Sequence, residues 1–107
     1  MPSQHAAILL LALGWALPAV AAAEPPPARQ AELHHLLLQD CGSCHGLTLK
    51  GGLGPALLPE ALEGKDIEHL AQAVLRGVPG TPMPPWAPEL TEAEARWLAG
   101  LLKEGVP

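Results

Sequence analysis

Asp40-Cys41-Gly42-Ser43-Cys44-His45-Gly46 decides how this chain is read, because two thiols and an imidazole stand there in a fixed register. Cys-x-x-Cys-His is the haem-attachment signature. Two thiols three positions apart on a helical turn reach the two vinyl groups on one side of a porphyrin. The next residue, His45, then lies under the iron as proximal ligand. Three other chemistries use the same residue types. A thioredoxin-like redox pair wants a βαβ context, and no segment here patterns as a strand. A disulfide between residues three apart closes a tiny loop and contributes little. Zinc needs further ligands at suitable spacing, and His34, His35 and His69 keep it open on inventory alone. With only two cysteines in the chain and the histidine in register, one covalently bound haem on Cys41 and Cys44 is the favoured reading.

Outward from the motif, the pattern is helical. Residues 28–39 are good helix formers, with Ala31, Leu33, Leu36, Leu37 and Leu38 between polar positions, and they predict a first helix running straight into the cysteines. Glu24-Pro25-Pro26-Pro27 before it reads as a stiff, extended lead-in without helix potential. After the motif, Gly51-Gly52-Leu53-Gly54-Pro55-Ala56-Leu57-Leu58-Pro59 reads as a glycine-rich loop. Ile67, Leu70, Ala71, Val74 and Leu75 predict a second helix over about 66–76, stopped by Gly77 at C′. Residues 78–88 hold five prolines around Met83 and form an ordered non-helical loop. Thr91-Glu92-Ala93-Glu94 fits a capping box that opens a third helix. Its buried stripe is Trp97, Leu98, Leu101 and Leu102, and Gly105 ends it. The expected architecture is all-α, with three main helices around one haem.

The ends and the bulk numbers set the compartment. An apolar stretch over 6–20, followed by Ala21-Ala22-Ala23-Glu24, reads as a secretory signal peptide cleaved after Ala23. A retained membrane anchor is the alternative, since the run approaches the shorter spans. Residues 24–107 then form one small domain that needs a staple. They contain no Phe or Tyr and only Trp86 and Trp97 as aromatics, so a large apolar cofactor would supply what the side chains lack. Six basic residues are scattered singly among eleven acidic ones, for a net charge of −5. Without a basic patch, nucleic acid is excluded as a partner. A basic or apolar surface on a partner protein is the better complement.

Within 24–107 Met83 is the only methionine, in Gly80-Thr81-Pro82-Met83-Pro84-Pro85-Trp86. A methionine between prolines fills no helix face, but its soft thioether can bind iron, and His/Met ligation raises a haem potential as a carrier requires. The prolines limit the loop's freedom before ligation. His34, His35 and His69 are possible substitutes, read as surface residues. Trp86 either packs at the haem edge, with its indole N–H toward a propionate, or is a plain apolar lid. Trp97 is expected to pack on the first helix. A six-coordinate iron leaves no open substrate site, which favours a carrier over an enzyme. A small haem peroxidase or gas-binding protein, with Met83 dissociating, is the enzymatic alternative.

From about Ala28 onward the chain resembles the class I cytochromes c. That family has a Gly-Pro after the haem motif whose carbonyl serves the proximal histidine, which implies the Pro55 carbonyl here, and an axial methionine in a Met-Pro context after the second helix. Cys41-Gly-Ser-Cys-His-Gly-Leu, Gly51-Gly-Leu-Gly-Pro-Ala-Leu and Gly80-Thr-Pro-Met-Pro-Pro-Trp with Leu90-Thr-Glu-Ala-Glu-Ala-Arg-Trp resemble the small periplasmic cytochromes of the c-55X type. These accompany the dissimilatory nitrite reductase cytochrome cd1 of denitrifying bacteria, and the phrases also resemble that reductase's haem c domain. The resemblance implies a monomeric periplasmic carrier, partnered with the reductase as electron donor or serving maturation of its haem d1. Nothing in the residues themselves points to nitrite.

Overall fold

The computed structural model describes residues 3, 7, 9–15 and 24–107. The cleavage point expected after Ala23 lies outside the described residues. Among the described residues no helix is long and apolar enough to cross a membrane, and none forms a strand. The elements are α1 (Pro27–Leu36), a π-helical turn (Leu37–Cys41), α2 (Gly42–His45), α3 (Ile67–Arg76) and α4 (Glu92–Glu104).

The first helical stretch differs from the expected one at both ends. Pro27, read as part of an extended lead-in, is the first residue of α1. Proline suits that position, because an N1 residue needs no N–H partner and its fixed φ is already helical. The Gln30 N–H closes the first turn on the Pro26 carbonyl at 2.9 Å, and the Gln30 side chain reaches the Pro25 carbonyl at 2.8 Å. At the other end the path does not stop near Gln39. It widens into the π turn and tightens again through Gly42, Ser43, Cys44 and His45. A π turn holds more residues than an α turn. It therefore rotates the direction in which Cys41, Cys44 and His45 project.

The other helices follow their local signals closely. Asp66 caps α3 by accepting the His69 N–H at 2.7 Å. Gly77 ends it with φ 69°. The capping box of α4 is complete: Thr91 Oγ1 accepts from the Glu94 N–H at 3.1 Å, and Glu94 accepts from the Thr91 N–H at 3.0 Å. Gly105 is its C-cap.

These elements bury an entirely aliphatic core. Leu33 and Leu37 contribute from the first helical stretch, Ala71 and Leu75 from α3, and Ala95, Leu98, Ala99 and Leu102 from α4. Leu49, Leu62 and Leu90 close it from the connections. Each buried leucine contributes roughly 1.5–3 kcal/mol. Trp97 is half-buried against this core and lines a small cleft with Glu24, Gly100, Leu101 and Glu104. At the surface, Arg29 ties the start of α1 to the start of α4. Its Nε donates to Glu94 at 2.5 Å and its Nη2 to the Glu89 carbonyl at 3.2 Å. Arg96 on α4 pairs with Glu68 on α3 at 2.7 Å. The Arg96–Glu68 pair is exposed and contributes little, whereas the Arg29–Glu94 pair is half-buried.

Candidate functional site

Cys41 closes the π turn, and Cys44 and His45 sit on α2 one turn further on, all three half-buried. Neither thiol is in a disulfide. Burial, and then the Asp40 carboxylate, pushes the Cys41 thiol up to about 11. A reactive redox pair needs a lowered thiol pKa, so this environment is the opposite of a thioredoxin-like one. The zinc alternative fails on geometry: among the described residues no three or more His, Cys, Asp or Glu converge where they could hold a metal ion.

His45 is held by the glycine loop. Its Nδ1 lies 2.7 Å from the Pro55 carbonyl oxygen. A carbonyl only accepts, so Nδ1 carries the hydrogen and Nε2 is left with its lone pair free to bind a metal. The loop reaches this position by capping the end of α2. The Gly54 N–H donates to the Cys44 carbonyl and the Gly51 N–H to the His45 carbonyl, both at 2.8 Å. Those carbonyls would otherwise lack partners at the helix end.

Three glycines here serve close approach, among them Gly52, where a Cβ would fall 2.8 Å from the Cys44 carbonyl oxygen. A Cβ on Gly54 would fall 2.7 Å from the imidazole Cε1 and 2.8 Å from Nδ1, so the loop backbone lies flat against the ring. A Cβ on Gly46, whose φ is 92°, would meet the Gly51 carbonyl oxygen at 2.6 Å. The sequence reading treated Gly54 as a turn residue. Its position, next to Pro55 in a loop following a candidate ligand, was the one signal available.

Met83 is half-buried on the proline loop, which folds back over the end of α3. The Trp86 N–H donates to the Val74 carbonyl at 3.0 Å and the Ala87 N–H to the Leu75 carbonyl at 3.1 Å, satisfying the last carbonyls of α3. The Met83 carbonyl accepts from the Val78 N–H at 3.2 Å. Gly77 lies directly beneath: a Cβ there would sit 2.7 Å from the Met83 carbonyl oxygen. In the sequence Gly77 stands only as a helix stop; the close approach to Met83 becomes visible once the loop folds back.

Trp86 packs against the core and lines a cleft of about 550 Å³ with Arg29, Leu36, Asp40 and Glu89. Among the described residues its indole N–H has no hydrogen-bond partner. His35 and His69 are exposed and His34 half-buried, on α1 and α3 rather than in either loop. The donor set therefore fits a covalent haem: two free thiols on adjacent helical turns, an imidazole with Nδ1 engaged and Nε2 available, and a thioether on a pinned loop.

The comparisons agree with this chemistry. The family described as "Cytochrome C oxidase, cbb3-type, subunit III" matches residues 28–102. A protein named "Cytochrome c55X" from Pseudomonas aeruginosa is 60% identical over 105 residues, covering 96% of this chain and 88% of its own. A solved structure titled "c-type cytochrome NirC" superposes with TM-score 0.75 at 63% identity, covering 77% of this chain and 96% of that one. A "Dihydro-heme d1 dehydrogenase" of the same Pseudomonas is 37% identical across 91% of this chain, which spans 19% of that protein.

Proposed function

Because the chain belongs to the class I c-type cytochromes of the cytochrome c55X type, we propose that it is a periplasmic monohaem electron carrier. Its acceptor is the dissimilatory nitrite reductase, cytochrome cd1, in denitrification. The observation that carries the reading is the His45–Pro55 contact at 2.7 Å beside the two free thiols. A haem c attached at Cys41 and Cys44, with His45 and Met83 on the iron, supplies reversible one-electron transfer.

The chain's own residues set the terms of that transfer. Pro55 holds the Nδ1 hydrogen, which fixes the tautomer and orients the imidazole. Met83 offers a soft sulfur that favours the reduced iron and raises the potential. Trp86 would pack at the edge of the bound haem, where its indole N–H could donate to a propionate. His45 and Met83 would both hold the iron of the bound haem, which favours a carrier over an enzyme. Residues 1–23 act as the export signal, and intact-mass measurement of the secreted protein is expected to place its N-terminus at Glu24.

A second reading has one observation behind it. The 37% identity to a dihydro-heme d1 dehydrogenase favours an accessory role in haem d1 biosynthesis or insertion into the reductase. A deletion strain separates the two. Fully haem d1-loaded reductase with slow nitrite respiration is the expected outcome for a donor. Reductase lacking haem d1 would overturn the donor role in favour of assembly.

A further inference from the structure

We propose that Thr81 is the positioning residue for Met83, its hydroxyl fixing the backbone that carries the axial thioether; this rests on Met83 binding the iron. The segment from Val78 to Ala87 reads Val-Pro-Gly-Thr-Pro-Met-Pro-Pro-Trp-Ala. Its four prolines have no N–H, so few backbone donors are left to brace the loop. Thr81 is the only hydroxyl residue in it. A hydroxyl donates once and accepts through two lone pairs, and Thr81 uses both capacities. Its Oγ1 donates to the Val78 carbonyl at 2.6 Å and accepts the Met83 N–H at 3.3 Å. The Val78 carbonyl also takes the Thr81 N–H at 3.1 Å, and the Val78 N–H goes to the Met83 carbonyl at 3.2 Å. Both backbone polar groups of Met83 thus end within one closed ring from Val78 to Met83. Among the described residues the Met83 N–H has no other partner, and the side chain that holds it is two residues away.

Without the hydroxyl, the Met83 N–H turns to water and the loop reaches conformations that carry the sulfur off the iron. An exogenous ligand then competes more easily with the thioether. The test is an imidazole titration of the ferric holoprotein, following loss of the sulfur-to-iron charge-transfer band. Thr81→Val, which keeps the shape and removes the hydroxyl, is expected to bind imidazole roughly two- to tenfold more tightly than the native protein, as loss of the bond to the Met83 N–H implies. Thr81→Ser restores the native value. A Thr81→Val protein that loses stability toward denaturant but binds imidazole as the native one does overturns the proposal. So does a Thr81→Ser protein that behaves like Thr81→Val. If the native protein shows no sulfur band, the Met83 reading itself falls and takes the proposal with it. A native band with an indifferent Thr81→Val sinks the proposal alone.

Discussion

The glycine loop after α2 and the proline loop after α3 do the same structural job by different means. Each folds back to cap the exposed carbonyls of the helix before it: Gly51 and Gly54 on α2, Trp86 and Ala87 on α3. Each has a glycine packed close beside its ligand candidate, Gly54 against the His45 ring and Gly77 against the Met83 carbonyl. The difference is where the ligand candidate sits. His45 belongs to the helix, and the glycine loop only steadies it from outside. Met83 belongs to the loop itself, which must be stiff on its own account, and five prolines with one threonine hydroxyl make it so. Neither loop carries an acidic residue, and Lys50 is the one charged side chain between Cys41 and Pro59. The ion pairs of Arg29 and Arg96 lie on the helices instead.

Breaking each loop at its glycine has separable consequences. Gly77→Ala is expected to have the largest effect. The new Cβ meets backbone atoms of Met83, Pro84 and Pro85 at 2.7–2.9 Å, and the residue has φ 69°. Overpacking and the left-handed backbone together cost about 3 kcal/mol or more. Denaturant unfolding would register this, with loss of the sulfur–iron band beforehand. Gly54→Ala ranks second, at about 1–3 kcal/mol, since its clash is with a side chain that can tilt. Its signature is different: the ring leaves the Pro55 carbonyl, and the proximal imidazole N–H signal in paramagnetic NMR shifts. If both variants changed the same spectroscopic feature, the division of labour between the loops would be wrong.

Two further changes, away from both loops, sharpen the contrast. Thr91→Ala removes the N-cap of α4 and is expected to cost about 1 kcal/mol while leaving the haem spectrum unchanged. The smallest effect belongs to Glu94. The Arg29 guanidinium, and then its hydrogen bonds at Thr91, hold its carboxyl below the ordinary 4.5. A carboxyl with a lowered native pKa adds stability above its ordinary pKa, and that contribution is lost as pH falls through the native value. Glu94→Gln is therefore expected to be slightly less stable than the native protein at neutral pH. The gap should narrow below about pH 4.5, which acid titration of the denaturation midpoint would check.

How much of this was legible in the sequence follows from the range of each interaction. The capping box of α4 and the Asp66 and Gly77 ends of α3 are local chemistry, set by residues three or four apart, and they read directly. Cys41, Cys44 and His45 were equally plain. The π turn was not, because Leu36, Leu37 and Leu38 are alike and leave no periodicity to mark a widened turn. Pro27 was misjudged because proline breaks a helix interior yet favours its first position. The Arg29–Glu94 pair spans 65 residues, beyond any local pattern. Gly54 and Thr81 stood in view within noticed phrases, but what they touch exists only after the loops close.

The central claim is that His45 and Met83 bind the same haem iron. The absorption spectrum of the ferric protein, native beside Met83→Ala, tests it most directly. The account predicts low-spin iron with a sulfur-to-iron charge-transfer band in the native protein and its loss in the variant. High-spin iron in the native protein, or an unchanged spectrum in Met83→Ala, would contradict it.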